Sequence, residues 1–436
     1  MQAHKGLSAA AETGVCPVLG AYDPLSPDEL HDPYPGFARA RASAPVFYSE
    51  ALDLWSIARQ ADVLAVLRDS ETFSASGALP HFAPPDEVRD RMPEYPWVDT
   101  VVTMDGAQHK WARSLLQAPF TPKSLRAWTP TIRDRARTLF LPLSEGRRME
   151  FLSEYAYPLA LSSLADVLGI PAERHELLKR GVDHAFRLIG DALTDSDEVL
   201  ASAQEVADLY DYMSELVEDR RAAPRDDYTS VMLRTAADAG SPEPTARMVK
   251  HVWTLIGAGF DTTANMLGQG VRAMLEHRDQ WQRLIDHRDL IDNAVEEALR
   301  YRTLVKRIYR VTTCDVTVGD VPIPRGARVA LLLASANRDE EGYADDPNRF
   351  DIAKRRENLG FGKWKHFCVG APLARLEMKL TLEALLELAP HVRLVPGQPM
   401  HVRPELRTDA MTALYIQSGQ VDLAGPMTFG TEAAAA

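Results

Sequence analysis

The chain has 436 residues, 45% hydrophobic and 25% charged, with a formal net charge of −13. That is the composition of a globular protein with room for two or three domains or one large core, and its acidity excludes a partner bound mainly through phosphates, which needs clustered Lys and Arg. The three scattered cysteines, Cys16, Cys314 and Cys368, exclude a disulfide framework, and the lack of a C-x-x-C pair excludes zinc or dithiol redox chemistry.

From the N-terminus, Met1 to Gly14 has no basic segment followed by an apolar core, and no run of about 18 apolar residues occurs anywhere. A cytoplasmic protein without a membrane anchor is expected. Residues 1–15 and 425–436 read as flexible tails around one folded unit, 16–424. Short β-like pieces follow at Pro45–Tyr48 and Leu54–Ile57. The stretch Asp105-Gly106-Ala107-Gln108-His109-Lys110-Trp111-Ala112-Arg113 is helix-like, and its spacing sets His109 and Arg113 on one face.

From about Pro130 to Arg302 apolar residues recur at three- and four-residue spacing, which predicts an almost wholly helical middle. Within it, Arg247 to Glu276 runs about 30 residues without proline, roughly 45 Å of helix. Gly257, Gly259, Gly268 and Gly270 each cost such a helix about 1 kcal/mol relative to Ala, so close backbone approach or a local distortion is expected there. Ala258-Gly259-Phe260-Asp261-Thr262-Thr263 lies at its centre; Asp and Thr in mid-helix commonly just bond locally. Farther on, Glu297 and Arg300 are i and i+3 on one helix face, by default a surface ion pair. β-like segments return between Val311 and Leu333, with turns at Gly319-Asp320 and Pro324-Arg325-Gly326. The secondary structure is therefore mainly α with small sheets made from distant segments, folded as one unit.

The richest stretch is Phe361-Gly362-Lys363-Trp364-Lys365-His366-Phe367-Cys368-Val369-Gly370, followed by Ala371-Pro372-Leu373-Ala374-Arg375-Leu376-Glu377. Pro372 marks the first turn of a helix, so Cys368 sits in a loop just before a helix N-terminus, whose dipole and free amides favour a thiolate. The plain alternative is a buried structural cysteine.

This loop resembles the haem-binding loop of the cytochrome P450s, and the resemblance runs from Asp32-Pro33-Tyr34-Pro35 through Thr412, including Ala336-Asn337-Arg338-Asp339. It implies the single-domain P450 fold, a triangular prism with haem b between the long oxygen-groove helix and the Cys-loop helix. It implies Cys368 as the thiolate metal ligand, Ala258 and Gly259 as room for dioxygen, and Asp261 and Thr262 as the acid and alcohol that deliver protons. His109, Arg113, Arg310 and His366 take the role of a propionate clamp, since Arg and His⁺ give charge-assisted bonds to carboxylates. Glu297 and Arg300 become a buried brace, whose third cation falls at Lys354 or Arg355, leaving open which one. Thr254, Gly257, Ala258, Leu304, Val305, Ile308 and Met411 are implied as pocket residues, together with parts of Gly77–Val98 and His184–Leu188. Lys306 and Arg307 hint at an anionic substrate, but neighbours on an extended segment point to opposite faces, so at most one faces the pocket and a solvated or propionate-facing placement is the ordinary reading.

One departure is Trp364, where the family has glycine. Either Trp364 adopts a strained positive φ, or Gly362 takes up the turn and the indole lies on the proximal surface; the second is the expectation. The activity implied is a monooxygenase acting on a small organic molecule with O2. The chain has no G-x-G-x-x-G after a strand and no Cys cluster, so a separate ferredoxin or flavodoxin with its reductase is expected as electron source, docking near Lys363, Lys365, Arg375 and Lys379, and the enzyme is expected to be a monomer. A peroxide-driven peroxygenase and a haem-binding sensor are the alternatives, and the intact Asp261-Thr262 pair disfavours both.

Overall fold

Helices form where the apolar spacing predicts them, and in the computed structural model, which describes residues 22–79, 83–189, 196–399 and 402–418, they dominate. The expected tails, the domain ends at 16 and 424, and Cys16 lie outside the described residues. Helices occupy Pro122–Ser144, Tyr157–Leu168, His175–Ile189, Ser196–Ala222, Tyr228–Asp238, Thr245–Glu276, Arg278–Asp286 and Ile291–Tyr301. The middle of the chain is not wholly helical, because β4, Arg148–Glu150, interrupts it to pair with β10, Tyr415–Gln417, which also pairs with β9, Arg393–Leu394.

The larger sheet has five strands in the order β1 (Val46–Ser49), β2 (Leu54–Ile57), β8 (Arg328–Leu331), β5 (Ile308–Thr312) and β3 (Phe73–Ser74). Its β2–β8 pair is parallel, Ile57 opposite Leu331, so segments far apart in the sequence share one sheet. β6 (Val316–Val318) and β7 (Val321–Ile323) form the hairpin expected at Gly319-Asp320, with Gly319 at φ +57°. One core fills the space among the helices, and two smaller ones cover the faces of the five-stranded sheet. Among the described residues, no helix is long and apolar enough to cross a membrane.

The long helix spans Thr245–Glu276, 32 residues, without a break. It packs against the helices Tyr157–Leu168, Ser196–Ala222, Ile291–Tyr301 and Ala371–Leu388, so apolar residues cover most of its circumference. Its glycines serve close approach, not distortion: a Cβ at Gly257 would lie 2.9 Å from the Trp97 indole, and one at Gly259 would lie 2.7 Å from a Leu164 methyl.

Glu297 and Arg300 are almost wholly buried and joined by two bonds of 2.7 and 2.8 Å. Arg300 also donates to the carbonyls of Asn337, Pro347 and Arg349, which leaves no guanidinium edge unsatisfied. The third cation is Arg356, neither Lys354 nor Arg355. Its Nη1 lies 2.8 Å from Glu297 Oε1, and its Nη2 lies 2.7 Å from Asp345. A turn closed by the Lys354 amide on the Asp351 carbonyl throws residues 353–355 into solvent and brings residue 356 inward. Asn337 fastens this brace to the cysteine loop, bonding Thr303 at 2.8 Å and the Leu359 amide at 2.7 Å.

Candidate active site

The cysteine loop is a tight turn built on two left-handed residues, Gly362 at φ +68° and Trp364 at φ +57°. Extended Lys363 lies between them, and a 3₁₀ turn, Trp364–His366, follows. Gly362 therefore does not spare Trp364, and the expectation that it would is corrected. The indole is nonetheless 41% exposed, with Lys363 Nζ 5.8 Å from its ring. The loop closes with the Cys368 amide on the Phe361 carbonyl at 2.9 Å, and the helix Ala371–Leu388 begins with Pro372 in its first turn.

Cys368 presents its thiol to a cavity of about 370 Å³. Burial among the surrounding protein atoms pushes the thiol up from its ordinary value, opposed by the amides of Gly370 and Ala371 and by the charges of Arg113 and Arg375. The helix terminus thus acts in the expected direction but does not prevail by itself. Of the cations around this loop, Lys363 pairs with Glu357, Arg375 with Glu296 and Lys379 with Asp292. Among the described residues Lys365 bonds only the Ser70 hydroxyl, at 2.6 Å, so the expected basic patch is largely offset by carboxylates.

At one edge of the cavity four distant residues converge. The helix Gly106–Leu116 supplies His109 and Arg113, and Arg113 Nη1 donates to the Phe367 carbonyl at 2.7 Å. The rings of His109 and His366 lie 4.2 Å apart, and buried Arg310 comes from β5. Among the described residues His109 Nε2 is buried without a hydrogen-bond partner. Burial holds His109 below its ordinary value, with Arg113 next; burial, Arg310 and His109 hold His366 down at about 4. Asp105, 3.6 Å from His366, is the acid facing this cluster. Its carboxylate takes bonds from Ser74 Oγ and the amides of Ala75 and Ser76, which outweigh burial and keep it below the usual range.

On the long helix, Thr254, Ala258, Gly259 and Thr262 line the cavity. Thr262 Oγ1 donates to the Ala258 carbonyl at 2.6 Å, the local bond such a residue makes by default. Asp261 faces away from the cavity. Its Oδ1 accepts from the Tyr157 hydroxyl at 2.7 Å, Asn265 at 3.3 Å and Arg403 at 3.0 Å. Burial and Asp261 push Tyr157 up, and for Arg403 the charges of Asp261, Tyr157 and Glu405 outweigh burial and hold it above its ordinary value. Sequence reasoning missed Tyr157, Asn265 and Arg403. Asn265, one turn beyond Asp261, was within reach of a spacing argument, but nothing local points to the other two.

Leu304, Val305 and Ile308 line the remaining wall, with Ala78, Leu79, Trp97 and Phe186. Gly257 is covered by Trp97, and Met411 packs against Gly268, so both stand off the wall. Lys306 turns away and donates to the Glu405 carbonyl at 2.9 Å, while Arg307 lines the cavity. Arg407, which no sequence signal marked, lines it too.

The family model described as Cytochrome P450 matches residues 188–388. Cytochrome P450(MEG) of Priestia megaterium is 31% identical over 396 residues, 89% of this chain and 94% of that protein. The vitamin D(3) 25-hydroxylase of Pseudonocardia autotrophica is 32% identical over 380 residues, 86% of this chain and 91% of that protein. Among solved structures, Cytochrome P450 CYP109Q5 from Chondromyces apiculatus superposes with a TM-score of 0.80 at 32% identity, covering 91% of this chain and 98% of that one.

Proposed function

Because the chain belongs to the cytochrome P450 family and is therefore a haem-thiolate monooxygenase, we propose that Cys368 supplies the thiolate and that haem b lies between its loop and the long helix. One observation carries this assignment: the Cys368 thiol and the Ala258–Thr262 turn open onto the same cavity, which is otherwise mostly apolar. The residues present fit the group. A thiol serves the iron, and apolar walls suit a macrocycle. At the edge, the unpartnered His109 Nε2 joins Arg113, Arg310 and His366 as donors for propionates. Even a neutral imidazole keeps one N–H to donate. When bound, haem supplies the binding and reductive activation of dioxygen, favoured by a thiolate ligand.

The chain's own residues then hold and move protons. Thr262 Oγ1 is the hydroxyl on the wall, able to release its bond to the Ala258 carbonyl and donate into the cavity. Asp261, held by Tyr157, Asn265 and Arg403, stands one residue away as the acid that recharges it. One oxygen atom enters a C–H bond of a small organic substrate. The other leaves as water, taking two protons and two electrons. The electrons come from a redox partner, which we infer to be a ferredoxin or flavodoxin with its reductase. Thr262 on the cavity wall favours this dioxygen route over a peroxide-driven one, since peroxide brings its own protons and electrons. A cytoplasmic location and a monomeric state belong to the same reading.

Replacing Cys368 with Ala or His tests the assignment. Loss of the red-shifted Soret band of the reduced carbonyl complex is the expected result, and its survival rejects Cys368.

A further inference from the structure

The left-handed backbone at Trp364 is a cost that the chain by itself does not recover. A bulky side chain at φ +57° is strained, and the indole, still 41% exposed, gains little from burial in return. Among the described residues the large apolar side chains left exposed are Leu25, Val102, Leu141 and Trp364, and only Trp364 is aromatic. Lys363, held by Glu357 at 2.6 Å, places its ammonium 5.8 Å from the centre of the ring, which steadies the indole against the loop.

Its place is as informative as its strain. The Phe367 amide donates to the Trp364 carbonyl at 3.1 Å, and the next residue, Cys368, returns its own amide to the Phe361 carbonyl at 2.9 Å. Trp364 is thus the one exposed apolar residue of that set carried by the cysteine loop. Phe361, Gly362, His366, Phe367 and Cys368 of the loop line the cavity, and Trp364 does not. Its exposed face is therefore turned outward, behind the residues that present the thiol.

Charge does not mark this surface. Lys363, Arg375 and Lys379 are each paired with a carboxylate, Glu357, Glu296 and Asp292. Lys365 bonds the Ser70 hydroxyl, and Asp69 feels its charge without lying within ion-pair distance. An exposed indole beside one unpaired cation is what remains. Contacts between electron-transfer proteins are small, and a tryptophan offers about 150–250 Å² to bury, a large share of such a contact. Aromatic anchors of this kind dominate the energetics of an interface.

We propose that Trp364 anchors the electron carrier: the indole seats in an apolar spot on a small carrier protein whose carboxylate faces Lys365, and this contact, more than the surrounding lysines, sets the affinity. The proposal rests on the redox-partner reading above and names the residue that holds that partner. The strain at Trp364 is then maintained for a contact made only in the complex.

The test uses ferric holoenzyme, titrated by calorimetry with two acidic carriers, a plant-type [2Fe–2S] ferredoxin and a flavodoxin. Reduction by each pre-reduced carrier under carbon monoxide is followed at the red-shifted Soret band. For the carrier that serves wild type, Trp364→Ala and Trp364→Gly should weaken binding about tenfold or more, while Trp364→Phe stays within threefold. The carbonyl band formed with dithionite should not move in any variant. High salt and Lys365→Gln should each cost wild-type affinity less than threefold. Trp364→Gly, which removes the strain together with the indole, should gain stability as it loses the carrier, a pairing that a purely structural role does not give. Binding within threefold of wild type in both Trp364→Ala and Trp364→Gly overturns the proposal, as does a loss in Lys365→Gln or high salt that exceeds the loss in Trp364→Ala. Should Trp364→Ala displace the carbonyl band, Trp364→Gly decides alone. A wild type that neither carrier binds or reduces overturns the partner reading and the docking site together, whereas a wild type reduced no faster than the tryptophan variants overturns the anchor and leaves the partner reading intact.

Discussion

Trp364 holds a backbone conformation that costs a non-glycine residue about 1–2 kcal/mol, and its indole recovers little by lying 41% exposed beside Lys363. Trp364→Gly should therefore raise the unfolding free energy by about 1 kcal/mol, the relief of strain being partly offset by glycine's larger conformational freedom when unfolded. A denaturant midpoint that does not rise would place the strain elsewhere in the loop. Thr262 and Asp261 differ in what they touch, and their variants should differ accordingly. With Thr262 on the wall and Asp261 behind it, Thr262→Ala should bind substrate normally while a larger share of electrons emerges as hydrogen peroxide. Asp261→Asn should instead slow turnover by of order 10²-fold, within the usual range for a positioned acid. Equal product yield per NADPH in wild type and both variants would remove the pair from proton delivery.

At the scale of elements, the brace around Glu297 makes a separable claim. Removing one partner of a buried pair leaves an uncompensated charge, at about 3–5 kcal/mol. Arg356→Ala should lose stability of that order together with haem content, while exposed Lys354→Ala should stay within about 0.5 kcal/mol; a reversed order in chemical denaturation would reinstate Lys354. The same brace marks the limit of what was legible. Glu297 and Arg300 share a helix face by local spacing and so could be read as a pair. Which later cation joins them depends on a turn at Asp351–Lys354 that rotates three residues outward, and no periodicity encodes that. The long helix and the cysteine loop were legible because glycines, a proline and a motif are local signals. Tyr157 and Arg403 were not, because they meet Asp261 only through packing of segments over 100 residues away. Trp364 was misjudged for a similar reason: that both Gly362 and its neighbour but one turn left-handed follows from the whole loop's path, not from either residue's preference.

For the molecule as a whole, Glu377 sets a pH dependence. It lies in the helix Ala371–Leu388, 1% exposed, with Oε1 unpartnered among the described residues. Burial pushes its carboxyl up from 4.5 to about 8, against the lowering effects of Ser163 and Arg135. The folded chain keeps this proton where the unfolded chain has released it, so the stabilising contribution is complete below about pH 4.5 and is lost as pH rises toward about 8. Glu377→Gln should flatten that part of the profile and be more stable than wild type at pH 8. Denaturant midpoints at pH 5, 6.5 and 8 that run parallel in the two proteins would contradict it.

The parallel pairing of β2 with β8 has a consequence in time. Ile57 leaves the ribosome about 270 residues before Leu331, which at 5–20 residues per second is roughly 15 to 55 s. Throughout that interval the β1–β2 hairpin has one edge without its partner, and such an edge invites pairing with other chains. The sheet closes only late in synthesis, and the cysteine loop, some 30 residues farther on, emerges just after it. Assembly of the centre thus follows the event that joins β2 to β8, and protection of the early hairpin governs how much of the protein reaches that point.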